Sequence, residues 1–339
     1  MNIQKNVDLK PYNSFGFAAI AEQFVAITSE AELEPVIQYA AEKSLQVSIL
    51  SGGSNILVSP VVEGIVVYMD IMEREVESDG DQILVTLGAG ENWHETVRWS
   101  VEQGYVGIES MALIPGKVGA APVQNIGAYG TELKDVFVSL KAYDCLNRCF
   151  VYLSNDACQF AYRDSVFKHY PGRFIITEVT LKLSQTKQSA VRYDALQAYF
   201  IEKAIENPSL AQVFQAICDV RSSKLPDPRQ LGNAGSFFKN PVVNTAIYTA
   251  IKAQYPNLVA YADPSGGHKL AAGWLIDQCQ WKGRRMGEVG VYEKQALVLV
   301  NFGEGTLEAL YHLADEIQRS VLETFSVQLE IEPQAFPKV

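Results

Sequence analysis

The sequence predicts an α+β protein of two domains, and three observations carry that reading. Helical apolar spacing and short strand-like runs alternate along the whole chain. The chain is 339 residues long, more than one hydrophobic core usually organises. A polar stretch at residues 184–190, with Gln, Thr, Lys and Ser, breaks the apolar pattern. It divides an expected first domain, residues 1–184, from a smaller second one, residues 190–339.

Each element has its own signal. Residues 28–44 read as a helix, because Ser29-Glu30-Ala31-Glu32 is a capping box and Leu33, Val36, Ile37, Ala40 and Ala41 follow at helical spacing. Strands are predicted at residues 47–50, 56–58, 65–68 and 83–87 from their short apolar runs. Residues 92–102 carry Trp93, Val97 and Val101 on one helical face, with Gly104 as the stop. Residues 113–130 are too rich in Gly, Ala and Pro for either period, whereas residues 174–183 alternate as a strand. Beyond the polar stretch, helices are expected at 194–204 and 209–221, the second opened by the box Ser209-Leu210-Ala211-Gln212. Pro226 and Pro228 make 224–228 a loop. Helices at 269–280 and 306–325 and strands at 296–300 and 327–331 complete the α+β order.

Bulk chemistry excludes several classes. A net charge of −11 argues against nucleic acid or an anionic membrane as partner. The apolar runs, such as residues 296–300, are too short to span a bilayer, and residues 1–13 show no apolar leader, so a cytoplasmic protein is expected. Cys145, Cys149, Cys158, Cys218 and Cys279 are an odd set without a C-x-x-C pair, which suits a reducing compartment and argues against a disulfide framework or a zinc site. The four histidines show no H-E-x-x-H spacing, so no metal is expected. The charge is uneven, however. Residues 221–285 hold nine Lys or Arg against three acids, a net of +6 that leaves −17 for the remainder. Such an island suits capture of a small polyanion, or merely decorates a solvated face.

Three loops carry the chemistry. In Ser51-Gly52-Gly53-Ser54-Asn55, between two strands, successive glycines can turn N–H groups toward one point, as a pyrophosphate requires; a tight hairpin would use the same glycines. A Walker loop fails at Gly116-Lys117-Val118, and a Rossmann fingerprint fails because Trp93 stands where the third glycine belongs. The long segment from Ile114 to Gly130, with Pro115, Gly116, Gly119, Asn125, Gly127 and Tyr129, could lay exposed peptide groups against a flat ligand. Gly232-Asn233-Ala234-Gly235-Ser236-Phe237-Phe238-Lys239-Asn240-Pro241 sets one hydroxyl beside small residues and paired aromatics that could keep it dry. A serine donates a proton usefully only where a strong base develops beside it. A glycine turn leading into core phenylalanines is the plainer alternative.

Together with Leu9-Lys10-Pro11-Tyr12-Asn13-Ser14-Phe15-Gly16, Tyr162-Arg163-Asp164-Ser165, residues 224–228 and residues 270–280, these loops resemble, nearly end to end, the UDP-N-acetylenolpyruvoylglucosamine reductase family of peptidoglycan precursor synthesis. The resemblance is to its longer subclass, which carries a tyrosine loop. It implies a vanillyl-alcohol-oxidase-type (PCMH) FAD-binding domain followed by a smaller α+β substrate domain, NADPH as reductant, and UDP-N-acetylglucosamine-enolpyruvate as substrate. Ser54 stands where relatives with covalent flavin often have histidine, so the resemblance implies non-covalent FAD. It further implies Ser51, Gly52, Gly53, Ser54, Asn55, Pro115, Gly116, Gly119, Asn125, Gly127, Tyr129 and Gly130 at the flavin. Ser236 is implied as proton donor, Arg163 as holder of the enolate and carboxylate, and Glu332 as the third catalytic group. Tyr193, Lys224, Asn240, Tyr261, Lys282 and Gln295 are implied at the nucleotide sugar. A monomer is expected.

Two of those roles keep a structural rival. Arg163 could simply pair with neighbouring Asp164. The C-terminal segment Leu329-Glu330-Ile331-Glu332-Pro333-Gln334 departs from the family pattern, with its proline displaced and an arginine absent, so Glu330 competes with Glu332. Another FAD-dependent oxidase or dehydrogenase of the same fold would use oxygen as acceptor. A non-catalytic UDP-sugar binder would have lost Ser236 or Arg163, and both are present.

Overall fold

The computed structural model describes residues 2–186, 193–263 and 266–338. They form two compact units, each discontinuous in sequence. The first comprises Met1–Val7, Ala21–Gly53 and Val61–Ser223; the second comprises Asp8–Ile20, Ser54–Pro60 and Lys224–Val339. The break expected at residues 184–190 lies largely outside the described residues. The helices beyond it, Asp194–Glu202 and Leu210–Lys224, bury Leu196, Phe200, Val213, Ala216 and Ile217 in the same core as Val85, Trp93 and Leu181. That packing draws residues 194–223 into the first unit.

The first unit holds two sheets. Strands Gln4–Asp8, Ile20–Ile27, Val61–Met69 and Val47–Leu50 lie in that order, the last two parallel with Leu50 opposite Tyr68. The helix Leu33–Glu42 covers this sheet with Leu33, Val36 and Ala40. Its capping box is formed as expected, Ser29 N–H donating to Glu32 Oε2 at 3.1 Å. The second sheet is antiparallel, in the order Cys149–Ser154, Phe137–Asp144, Phe174–Ser184, Gln82–Gly88, Arg74–Asp79.

Asp144 ends one strand of that sheet almost wholly buried, accepting from Arg173 Nη2 at 2.9 Å and from the backbone of Leu146 and Asn147. The Arg173 bond, with those amides, holds its carboxyl at about 2 despite the opposing cost of burial. The pair's contribution is therefore complete above the ordinary carboxylate value of 3.8 and is lost as pH falls toward 2. Asp144→Asn should cost roughly 2 kcal/mol at neutral pH and flatten the acid limb of stability. Urea titrations across pH check this; an unchanged midpoint at neutral pH would refute it.

The second unit is built on the antiparallel sheet Gly232–Ser236, Val298–Asn301, Val289–Val291, Arg285–Met286. The segment around Phe15 threads against it. Ser14 O accepts from Asn233 N–H at 3.0 Å, and Phe15 O accepts from Asn301 Nδ2 at 2.8 Å. A Cβ at Gly232 would meet Phe15 O at 2.2 Å, so only glycine lets the two backbones approach. The helix Leu307–Phe325, capped by Thr306, buries Leu310, Leu313, Ala314, Ile317, Val321 and Phe325.

Two expectations in this unit are corrected. Lys269 and Leu270 are not helical: they pair in the strand His268–Leu270, and the helix is Ala272–Gln278. Residues 327–331 form no strand beyond a bridge between Ile331 and Phe238. Val327 and Leu329 do alternate inward, but Leu329 O is taken by Gln318 Nε2 at 2.8 Å. The last strand is instead Gln334–Phe336, parallel to Ile56–Val58.

Candidate active site

In the first unit two irregular loops are pressed together. A Cβ at Gly52 would lie 2.6 Å from Gly116 Cα and 3.1 Å from Lys117 N, so the backbones touch where no side chain fits. Ser51 Oγ is buried with no hydrogen-bond partner among the described residues. A buried hydroxyl beside glycine peptide groups is a donor set that phosphate oxygens satisfy, so the loop fits a pyrophosphate. Ser54 and Asn55 belong to the second unit, where Ser54 O accepts from Ser14 Oγ at 3.2 Å and Asn55 O from Gln334 N–H at 3.0 Å.

The second loop is held by the start of the helix Trp93–Glu102. Gly116 O accepts from Trp93 N–H at 3.1 Å, Glu91 O from Val118 N–H at 2.8 Å, and Ala89 O from Gly119 N–H at 3.0 Å. A Cβ at Gly119 would lie 2.5 Å from Ala89 Cβ. Lys117 Nζ donates to Met69 O at 2.7 Å and pairs with Asp70 at 2.8 Å. Pro115 is exposed, and Gly116 and Gly130 take φ values of 114° and 81°. Residues 118–124 wind into a 3-10 helix, which the sequence had not announced.

Asn125 closes that turn in the left-handed conformation, φ 44°. Its side chain is spent within the fold, donating to Glu132 Oε2 at 3.0 Å and Ala161 O at 3.1 Å while accepting from Lys134 N–H at 3.0 Å. It shapes the loop and offers little to a ligand directly. The Tyr162–Ser165 turn is stitched to the same loop. Ser165 Oγ donates to Val123 O at 2.6 Å, and Arg163 Nη2 to Gly127 O at 3.3 Å. Asp164 accepts from Ser165 N–H at 2.9 Å and pairs with His169 at 2.8 Å. Tyr129 packs edge to face on Tyr193, ring centroids 5.2 Å apart, and burial raises its phenol pKa.

Arg221, counted in the cationic island but assigned no role from the sequence, belongs with this group. Its Nη2 reaches Leu113 O at 3.5 Å, and its charge is felt by both Tyr129 and Arg163. Burial lowers its pKa, with Arg163 adding to the shift against the opposing pull of Tyr129 and Cys218. The available signal was its place one helical turn before Lys224.

In the second unit Ser236 ends the strand Gly232–Ser236 at an irregularity in register. Asn233 makes the kink, its Oδ1 accepting from Gly235 N–H at 2.9 Å and its Nδ2 donating to Leu231 O at 2.8 Å. Gly235 there has φ 70°. The expectation of a dry hydroxyl is corrected: Ser236 is exposed, while Phe237 and Phe238 are fully buried and packed edge to face at 5.1 Å. The aromatics anchor the strand from below and do not enclose the serine.

Glu332 lies across from this strand end, its N–H donating to Phe237 O at 2.9 Å, and only 8% of its surface is exposed. Glu330 instead points outward and pairs with Lys239 at 2.9 Å. Asn240 Oδ1 accepts from Ala272 N–H at 2.9 Å, at the start of the helix Ala272–Gln278. Gln295 Oε1 would stand 3.0 Å from a Cβ at Gly273 in the same helix. Asn240 and Gln295 thus converge on one helix start, whereas Lys224, Tyr261 and Lys282 are exposed on separate elements.

Known proteins match this organisation. The FAD binding domain matches residues 21–147, and the C-terminal domain of UDP-N-acetylenolpyruvoylglucosamine reductase matches residues 227–336. The UDP-N-acetylenolpyruvoylglucosamine reductase of Polynucleobacter asymbioticus is 47% identical over 332 residues, covering 98% of this chain and 96% of that one. The crystal structure of the reductase from Thermus caldophilus superposes with a TM-score of 0.69 at 22% identity, covering 99% of this chain and 100% of that one. 6-Hydroxy-D-nicotine oxidase from Arthrobacter nicotinovorans, at 12% identity, shares the fold with a TM-score of 0.54 over 96% of this chain and 86% of its own.

Proposed function

The chain belongs to the UDP-N-acetylenolpyruvoylglucosamine reductase family, and on that premise we propose that it reduces the enol-ether double bond of UDP-N-acetylglucosamine-enolpyruvate to give UDP-N-acetylmuramate. The observation that carries the reading is the 47% identity sustained over 98% of the chain. FAD, when bound, supplies the hydride relay from NADPH to the terminal vinyl carbon. The Ser51–Gly53 turn and the Pro115–Gly130 loop would hold it non-covalently, a reading supported by the buried Ser51 hydroxyl and the close glycine peptides.

Hydride addition leaves negative charge on the carbon bearing the carboxylate, and this chain's residues answer it. Arg163, planar and permanently charged, neutralises the enolate and carboxylate. Ser236 presents its hydroxyl to that carbon and gives up its proton, forming the C–H bond and leaving an alkoxide that water reprotonates. Glu332 is the third catalytic group; the exposed pairing of its rival Glu330 with Lys239 supports this choice. Ser236 is exposed in the chain itself, so bound substrate must exclude the water around it. Lys224, Asn240, Lys282, Gln295, Tyr261 and Tyr193 take the nucleotide sugar, and NADPH and the UDP-sugar use one site in turn. No helix among the described residues is long and apolar enough to cross a membrane. Membership of the family supports placing the reaction in the cytoplasm, and the proposed acting form is a monomer.

NADPH consumption without oxygen should depend on the enolpyruvyl sugar and yield a product heavier by two hydrogens. Consumption that needs oxygen and ignores the sugar would replace this reading with an oxidase. Lys224→Ala should raise KM for the UDP-sugar roughly tenfold or more with little change in kcat, since a diphosphate contact is made equally before and during reaction. Steady-state kinetics check this, and a fall in kcat alone would refute the role.

A further inference from the structure

The first residues of the long loop are tied down by a group that the reaction itself does not call on. Leu113, a non-glycine residue, has φ 57°, in the left-handed region that costs a branched side chain energy unless its surroundings hold it. Its peptide groups are held from two sides. His94 Nδ1, on the helix Trp93–Glu102, accepts from Leu113 N–H at 3.1 Å. Arg221 Nη2, from the helix Leu210–Lys224, reaches Leu113 O at 3.5 Å. The His94 ring is itself set by stacking on Phe214 of that second helix, centroids 5.7 Å apart and planes 8° from parallel. Three residues further along the loop, Trp93 N–H holds Gly116 O at 3.1 Å.

We propose that His94 is a positioning residue for the flavin: as a neutral acceptor it holds the Leu113 peptide in the strained turn from which Pro115 and Gly116 are presented. The proposal rests on the reading that this loop holds FAD. A backbone N–H always donates, so the bond to Leu113 requires the tautomer with Nδ1 bare and the ring hydrogen on Nε2. Arg98 Nη2, itself a donor 3.2 Å from Nε2, then makes no hydrogen bond there, and the guanidinium keeps its bond to Glu95. A second proton would leave two donors facing each other across 3.1 Å and free the turn.

The charged and titratable neighbours act in the same sense. Burial lowers the pKa of His94 first. Arg98 on its own helix, whose guanidinium lies 3.2 Å from Nε2, and Arg221 on the facing helix lower it further; Glu95 opposes them. Cys218 lies on the facing helix near the two arginines, and residues 111–116 bring no titratable side chain. The lowered folded value sets the direction. The hold is complete above the ordinary histidine value of 6.5 and is lost as pH falls through the lower value of the folded state.

The test is the dissociation constant of FAD for the flavin-stripped protein, read by quenching of FAD fluorescence at about pH 8 and about pH 5.5, on either side of the histidine range. The wild type should bind more weakly at the acid pH. His94→Phe keeps the stack on Phe214 but offers no acceptor, so it should bind about tenfold more weakly at the higher pH and show little pH dependence. His94→Asn restores a non-titrating acceptor near the Nδ1 position and should bind nearly as the wild type does at both pH values. His94→Phe binding as tightly as the wild type at about pH 8, or His94→Asn keeping the wild-type pH dependence, would overturn the assignment while leaving the flavin reading intact. A wild-type protein that takes up no FAD would overturn both.

Discussion

Replacing Ser236 by alanine is expected to leave flavin binding and its reduction by NADPH intact while slowing reduction of the UDP-sugar by ~10²–10⁴, the usual worth of a placed general acid. The split follows from where the hydroxyl stands. It projects from the second unit at the end of the strand Gly232–Ser236, while the loops assigned to FAD are built from Ser51–Gly53 and Pro115–Gly130 of the first. The kink at this strand end is made by Asn233 and by Gly235 at φ 70°, neither of which uses the serine side chain. Alanine therefore removes a proton and little else. Stopped-flow measurement of the two half-reactions separates the effects: equal slowing of both would point to a folding defect, and unchanged turnover would remove Ser236 from the chemistry.

Gly52→Ala should abolish flavin retention. The added methyl would sit 2.6 Å from Gly116 Cα, 3.0 Å from Gly116 C and 3.1 Å from Lys117 N, all backbone, so no side chain can rotate out of its way. The loop carrying Gly116 cannot retreat easily either, because Trp93 holds its carbonyl and Lys117 is anchored on Met69 and Asp70. Separation of the two loops should weaken FAD binding by at least ~10², and the variant should purify colourless. Gly80→Ala is the control. Gly80 has φ 58° but nothing within 4 Å of its Cβ position, so that variant carries backbone strain without a clash and should stay yellow. Full flavin content in Gly52→Ala would refute the cradle.

What the sequence made legible was mostly local. Both capping boxes, at Ser29 and Ser209, form as read, because each is satisfied within four residues. The glycine loop at Ser51–Asn55 was legible because glycine spacing reports backbone contact directly, whereas Gly232–Ser236, which read as a small-residue loop, is a kinked strand. The partition of the units was not. Whether the helix Leu210–Lys224 joins the domain before it or after it depends on which core accepts Val213 and Ile217, and periodicity says only that they face inward. The same limit hid the environment of Ser236. Two phenylalanines beside a serine could enclose it or lie beneath it, and only the pleat and the kink decide that they lie beneath. Glu330 and Glu332 share a face by alternation, yet one pairs with Lys239 in solvent and the other is nearly covered, a difference set by the strand end across from them. His94 and Arg221 went unassigned because their shared partner is a backbone peptide at Leu113, which no side-chain pattern announces.

The central claim is that this chain passes reducing equivalents from NADPH to an enolpyruvyl sugar. It is tested most directly by bleaching the flavin-loaded protein with one equivalent of NADPH in the absence of oxygen and then adding UDP-N-acetylglucosamine-enolpyruvate. The account predicts that the yellow colour returns at once, with one UDP-N-acetylmuramate formed per flavin. A protein that stays bleached until air is admitted would contradict it.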